Sequence, residues 1–329
     1  MKRREFITLL GRAAVSACPL EARAQKGVRR IGVLLPFDHE SDPQVRELWP
    51  VFTQRLRDLG WVEGRNIQFD LHFTGQDKGC ISSGAVQLAA SVPDLIVVWS
   101  NPAAAALKQA TRSIPVIFAQ VSDPVGEGVV DSLARPGGNI TGFQNFEVAI
   151  GGKWLQLLKE IAPEVRRVAV VYNQNIAANV AFLHAAEAAS ASLDVKIIAI
   201  DLHDAAIMEE TLTAFAQGSN SGLIITPNPL NTRSPELLAK LARRLRLPAI
   251  YPFRAFVLNG GLMSYGFDTI EQQQGVATYV DRVLKGEKPI DLPVQAPTKY
   301  QLLINLKAAQ ALGLDVSLQL QQRADELIE

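Results

Sequence analysis

Two places in this 329-residue chain combine residue types that could hold a small molecule by its charged ends. Asn101-Pro102 follows the apolar run Asp94 to Trp99 and opens a stretch of helical spacing. Free backbone N–H groups and the positive end of a helix dipole at that point suit a carboxylate. The same pair also suits a plain helix start, with Asn101 as N-cap and Pro102 at the first helical position. Ser122-Asp123-Pro124 follows a second apolar run, 115–121. Asp123 could pair there with an ammonium group, or the triplet could serve only to turn the chain. Used together, the two places would grip a zwitterion by both ends. Phe37, Phe143, Phe146, Tyr251, Phe253 and Tyr265 sit at the edges of expected elements and could line a mostly apolar pocket, with part of the set left to core packing. Asn145, Asn173 and Asn228 follow strand ends and could hydrogen-bond a ligand or stabilise their own loops.

Other chemistry finds little footing. His39, His72, His184 and His203 are scattered without metal-ligand spacing, and Asp38-His39-Glu40 reads as a solvated loop. Gly126-Glu127-Gly128 is a fragment of a dinucleotide fingerprint without its third glycine, and no phosphate loop or nucleophile elbow occurs. No cofactor is expected. The chain has two cysteines, Cys18 and Cys80, and Cys80 reads as a small, partly buried hydrophobe rather than a reactive thiol.

These residues need a scaffold, and the spacing supplies one. Strands are expected at 30–35, 66–73, 94–99 and 115–121, alternating with helices at 43–59, 79–91 and 102–112. A loop and short helix then lead to 139–143. The alternation restarts with helices at 150–161, 177–192, 204–217, 234–246 and 269–285 and strands at 168–172, 195–200, 222–226, 249–251 and 261–265. The tail holds an extended piece near 293–304, a helix over 306–312 and a polar helical end. Such alternation implies an α/β fold of two doubly wound parallel-sheet lobes, with ligands beyond the carboxyl ends of the strands. A cleft between the lobes would then be the binding site.

Residues 1–24 read as an export leader. Lys2, Arg3 and Arg4 precede an apolar run, Ala22-Arg23-Ala24 offers a cleavage site, and Arg3-Arg4-Glu5-Phe6-Ile7 resembles a twin-arginine signal. An N-terminal helix is the alternative, and Val15-Ser16-Ala17-Cys18 leaves open a lipid anchor at Cys18. Arg12 breaks the apolar run and favours the twin-arginine route over general export. The run is too short for a span of about 20 apolar residues. Cleavage after Ala24 changes 33 basic and 33 acidic residues to 28 and 31. The resulting weak negative charge gives no drive toward nucleic acid or anionic lipid. Only Cys80 would remain, so no internal disulfide forms.

Several segments are similar to the ABC-transporter substrate-binding proteins of the tryptophan/phenylalanine-binding type. They are Ser122-Asp123-Pro124-Val125-Gly126, Leu133 to Gly142 (LARPGGNITG), Gly152-Lys153-Trp154-Leu155, Tyr251-Pro252-Phe253, Ser264-Tyr265-Gly266 and Pro293 to Lys299. The resemblance covers essentially the whole chain. It implies a type I periplasmic-binding-protein fold with a hinge and crossovers near 145–149, 266–269 and 288–292. Lobe 1 is then 29–145 plus 268–289, and lobe 2 is 146–267 plus 290–329. It implies a non-enzymatic periplasmic receptor, a monomer, that delivers an amino acid or related carboxylate to ABC permease subunits by hinge closure. A ligand-sensing subunit of a membrane signalling system is the alternative, and an exported enzyme a third. A racemase would want two cysteines, and no hydrolase constellation is visible. The ligand-binding set expected is Phe37, Asn101, Ser122, Asp123, Phe143, Asn145, Asn173, Asn228, Tyr251 and Tyr265.

Overall fold

A computed structural model of the chain describes residues 27–202, 207–228, 230–231 and 235–329. The expected export leader, Cys18 and His203 lie outside the described residues, as do 204–206 of the helix expected over 204–217. Among the described residues no helix is long and apolar enough to cross a membrane.

The first lobe runs β1 (Arg29–Leu35), α1 (Pro43–Asp58), β2 (Ile67–Phe73), α2 (Lys78–Ala90), β3 (Leu95–Trp99), α3 (Asn101–Ala110), β4 (Val116–Val121) and β5 (Ile140–Gln144). Its five strands pair in parallel in the order β2-β1-β3-β4-β5. Strand alternation divides its core in two. Leu95, Val97 and Trp99 of β3 pack with α1 on one face, while Ile96 and Val98 pack with α2 and α3 on the other. This explains why β3 reads as a continuous apolar run.

The second lobe contains α4 (Ile150–Ile161), β6 (Arg167–Tyr172), α5 (Ala177–Ser190), β7 (Lys196–Asp201), α6 (Met208–Ala216), β8 (Ser221–Ile225), α7 (Pro235–Arg244), β9 (Ala249–Tyr251), α8 (Arg254–Leu258) and β10 (Met263–Phe267). The chain then returns to lobe 1 as α9 (Thr269–Leu284), whose Val276, Ala277, Val280 and Leu284 join the α1-side core. It goes back once more for β11 (Tyr300–Asn305), α10 (Leu306–Ala311), α11 (Leu318–Arg323) and β12 (Glu326–Ile328). The second sheet is β12-β11-β10-β9-β8-β6-β7, parallel except where β11 runs against β10. On α4, Trp154, Leu157, Leu158 and Ile161 are buried. Gly151 lets α4 approach α5 closely, since a Cβ there would collide with the Phe182 carbonyl oxygen.

Four details depart from expectation, the first being Cys80, which lies exposed in the first turn of α2 rather than partly buried. No helix forms among the described residues of 122–139, which make turns and bends. The tail ends in β12 rather than in a helix, because Asp325 reaches the Leu302 N–H at 2.9 Å and starts a pairing with β11. Leu292 and Val294 pack in lobe 1's cores, and Gln295 pairs beside Phe143, so the chain stays with lobe 1 beyond residue 289.

Candidate functional site

The carboxyl ends of the parallel strands in both lobes open onto one cleft with about 630 Å³ of free space, part of it open to solvent. On the lobe-1 side β1 delivers Pro36 and Phe37, and α1 presents Asp42 and Gln44 from its first turn. The β3–α3 junction adds Trp99, Ser100, Asn101 and Pro102, and the end of β4 adds Gln120 and Ser122. The other side holds Asn145 from the crossover with Ile176, Pro227, Asn228 and Phe253 from lobe 2. Asp42 is the single ionisable side chain among the described residues lining it. Phe37 stands edge-on to Trp99 at 5.9 Å, giving that wall an aromatic corner.

The lobe-1 wall, and the turn just beyond it that holds Asp123, carry backbone strain. Ser100 (φ 91°), Gln120 (φ 54°) and Asp123 (φ 41°) all have left-handed backbones without being glycine. Such conformations cost on the order of 1–3 kcal/mol each and collect at functional sites. Ser100 rather than Asn101 is the N-cap of α3, and its side chain makes no capping bond. Asn101 is already inside the helix because its amide is claimed elsewhere. Its Nδ2 donates to the Ser122 carbonyl at 2.7 Å, and its Oδ1 accepts from the Ser122 N–H at 2.9 Å. Ser122 Oγ in turn donates to Asn145 Oδ1 at 2.7 Å, which also accepts from the Phe146 N–H. This relay ties α3, β4 and the first crossover together. Two buried donors on this wall have no partner: the Trp99 indole Nε1–H and the Ser100 hydroxyl.

The lobe-2 wall is organised by Asn179, which is fully buried in α5. Its Oδ1 accepts from Thr226 Oγ1 at 2.8 Å and from the Asn173 N–H at 3.2 Å, while Nδ2 donates to the Pro227 carbonyl at 2.9 Å. Asn228 Oδ1 accepts from the Asn231 N–H at 2.9 Å. One contact spans the cleft directly. Glu127, in the turn after β4, accepts the Ala178 N–H of α5 at 2.9 Å. Burial raises the Glu127 carboxyl above the usual carboxylate range, the Ala178 amide offsets part of that rise, and the charge of Asp123 adds to it.

Of the ten residues expected to bind a ligand, Phe37, Asn101, Ser122, Asn145 and Asn228 line the cleft. The other five are engaged elsewhere. Asp123 Oδ1 accepts the Gly126 N–H at 3.0 Å and closes a turn. Asn173 Oδ1 accepts the Asn175 N–H at 2.9 Å. Phe143 packs on Tyr279 at 4.8 Å near the crossovers. Tyr251 is buried and stacks on Phe256 at 4.7 Å, and burial pushes its phenol far above the ordinary range. Tyr265 stacks on Tyr300 at 5.5 Å. Trp99, Ser100 and Gln120 escaped the sequence reading. Trp99 looks like the last interior residue of a buried strand, and a left-handed backbone at serine or glutamine leaves no compositional trace. Among the described residues, no group of three or more His, Cys, Asp or Glu is placed to hold a metal ion.

The sequence model of a family described as ABC transporter substrate binding protein matches residues 30–328. A tyrosine-binding protein of Clostridioides difficile is 26% identical over 304 residues, covering 88% of this chain and 82% of the relative. Among solved structures, a conserved domain protein from Vibrio cholerae superposes with a TM-score of 0.84 at 27% identity, covering 91% of this chain and 99% of that one. An ABC domain from Streptococcus pneumoniae in complex with L-Trp also superposes at 0.84, with 24% identity, 92% of this chain and 100% of that one.

Proposed function

The chain belongs to the ABC transporter substrate-binding proteins, a family of binders rather than enzymes, and from that premise we propose that it captures an aromatic amino acid for an ABC importer. The observation that carries the ligand class is the lobe-1 wall, where two buried donors without acceptors, Trp99 Nε1–H and Ser100 Oγ–H, flank an aromatic corner. A buried donor left unmade costs about 1–3 kcal/mol, so a ligand oxygen that accepts from it recovers stabilisation that water would otherwise supply in the open cleft. The carboxylate lies at the start of α3, between those donors and the helix dipole. The ring lies against Phe37 and Phe253. The names of two relatives, one tyrosine-binding and one holding L-Trp, agree with that class.

Capture proceeds by closure about the three crossovers, with the ligand bridging both walls and so stabilising the closed form. The closed monomer is then read by permease subunits in the membrane. Lobe 1 comprises the sheet built on β1–β5 with its helices, α9 and the segment that follows it through Gln295, and lobe 2 the remainder. Residues 1–24 direct export, by the twin-arginine route, to the periplasm where the family works.

Isothermal titration and thermal shift with L-tyrosine, L-tryptophan, L-phenylalanine and non-aromatic controls test the reading. At 100 times its dissociation constant a true ligand stabilises the protein by about 2.7 kcal/mol. Binding of the non-aromatic controls alone, or of none of the panel, defeats it.

A further inference from the structure

We infer that Glu127 is an interlobe clasp, a lobe-1 side chain that caps lobe 2's α5 and helps hold the cleft shut. The helix needs such a cap. Ile176 occupies its N-cap position and has no side-chain acceptor, so α5 lacks a side-chain cap from its own lobe. Ala178 is in the first turn, where an N–H has no intrahelical acceptor. The acceptor comes from the other lobe, as Glu127 Oε1 at 2.9 Å.

The turn that presents Glu127 is itself anchored in lobe 1. The Glu127 N–H donates to the Asp123 carbonyl at 2.9 Å, and Asp123 Oδ1 accepts the Gly126 N–H at 3.0 Å. From α3, Lys108 Nζ donates to the Gly128 carbonyl at 2.5 Å. The clasp is therefore a side chain on a braced stem, whose far end docks on backbone of the opposite lobe.

This inference rests on the hinge closure proposed above and adds two things to it. Opening the hinge separates Glu127 from α5 and leaves both to water, so the contact contributes only to the closed form. Closure then has a component that needs no ligand. The amide at the start of α5 is also taken by the chain's own carboxyl group, which directs a ligand carboxylate to the lobe-1 wall. The partner is a neutral amide, so the clasp requires an acceptor oxygen rather than a negative charge.

Glu127→Ala and Glu127→Gln in the full chain separate these features. Stopped-flow release of L-tyrosine and L-tryptophan is measured beside small-angle scattering of the ligand-free proteins. E127A should release ligand about tenfold faster, the size expected of a lost helix cap, with the association rate within about twofold. Its ligand-free form should be more expanded than wild type. E127Q keeps an acceptor oxygen and should restore both readouts. Wild-type release and scattering in E127A overturn the clasp, and so does an E127Q as impaired as E127A. If wild type binds neither amino acid, the ligand reading fails, and unchanged ligand-free scattering between wild type and E127A still overturns the clasp.

Discussion

The two walls of the cleft share a strand–helix plan and are finished in opposite ways. In lobe 2, Asn179 sits fully buried with both ends of its amide bonded, to Thr226, Asn173 and Pro227. In lobe 1, the strand ends carry left-handed Ser100 and Gln120, and Trp99 Nε1 and Ser100 Oγ have no partner. Left-handed residues also occur in lobe 2, at Asp194, Asn220 and Arg246. There they fall in helix-to-strand turns, away from the residues that line the cleft. Both walls are braced, lobe 1 by the Asn101–Ser122–Asn145 relay and lobe 2 by Asn179. The unpartnered buried donors lie on lobe 1, whereas beside the lobe-2 wall the unpartnered atom is an acceptor, Asn231 Oδ1. The difference assigns them different work. On the proposed function, lobe 2 would act as a preformed anvil and lobe 1 would supply the directional contacts to the ligand.

The largest effect should come from breaking the anvil. Asn179→Ala strands the Pro227 carbonyl in the interior and frees the half-buried Asn173 amide, while the Thr226 hydroxyl keeps only its bond to the Val171 carbonyl. About 3 kcal/mol of folding stability should be lost, read as a lower urea midpoint at unchanged m-value. A loss below about 1 kcal/mol would show that the network is dispensable and would remove the contrast between the walls.

Ser100 offers the opposite outcome. Ser100→Gly removes an unpartnered hydroxyl and relieves a left-handed backbone, so the ligand-free protein should gain about 1 kcal/mol. Affinity for an aromatic amino acid should fall about tenfold, because a hydrogen bond to a charged group is worth about 1.5–3 kcal/mol. Ser100→Ala separates the two parts by losing the hydroxyl while keeping the strain. Titration calorimetry and thermal melting of both variants decide the matter. Unchanged affinity in S100A would take the hydroxyl out of the ligand site.

Much of this contrast was hidden in the sequence, for physical reasons. The strand–helix alternation was legible because parallel strands covered on both faces, such as Leu95–Trp99, must be apolar throughout. Phe37, Asn101, Ser122, Asn145 and Asn228 were legible as residues just beyond strands. Tyr251 and Tyr265 satisfied the same rule, yet their rings stack on Phe256 and Tyr300, and the latter partner arrives only when β11 pairs with β10. Asn101 looks like an N-cap until β4 brings the Ser122 backbone to its amide. Three-residue β12 has no periodicity to detect. Ion pairing with Lys299 and the backbone bonds of Asp325 reveal it only after folding.

A smaller effect tests the contact that joins the walls. Burial raises the Glu127 carboxyl, so the closed form binds its proton more tightly than an open form in which the group is solvated. The contribution to closure from this proton is present in full below the ordinary carboxylate range. It is lost as pH rises through the raised value. Affinity for L-tyrosine, measured by calorimetry from pH 4.5 to 7, should therefore improve toward the acid end, and E127Q should flatten the slope. Affinity that worsens on acidification in wild type but not in E127Q would mean that the charge, not the oxygen, makes the contact.

The smallest effect is expected at the residue that most resembled an ammonium partner. Asp123 is not among the cleft-lining residues, and its Oδ1 is committed to the Gly126 N–H. Asp123→Asn preserves that acceptor and removes only the charge, so the turn and the Glu127 stem above it should stand. Affinity for L-tyrosine in D123N should stay within about twofold of wild type, since a turn needs an oxygen and not a carboxylate. An ammonium bound to Asp123 would instead lose a charge-assisted hydrogen bond worth about 1.5–3 kcal/mol, a fall of tenfold or more. Such a fall would put lobe 1 in contact with both charged ends of the ligand, and lobe 2 would be left with only its share of the ring.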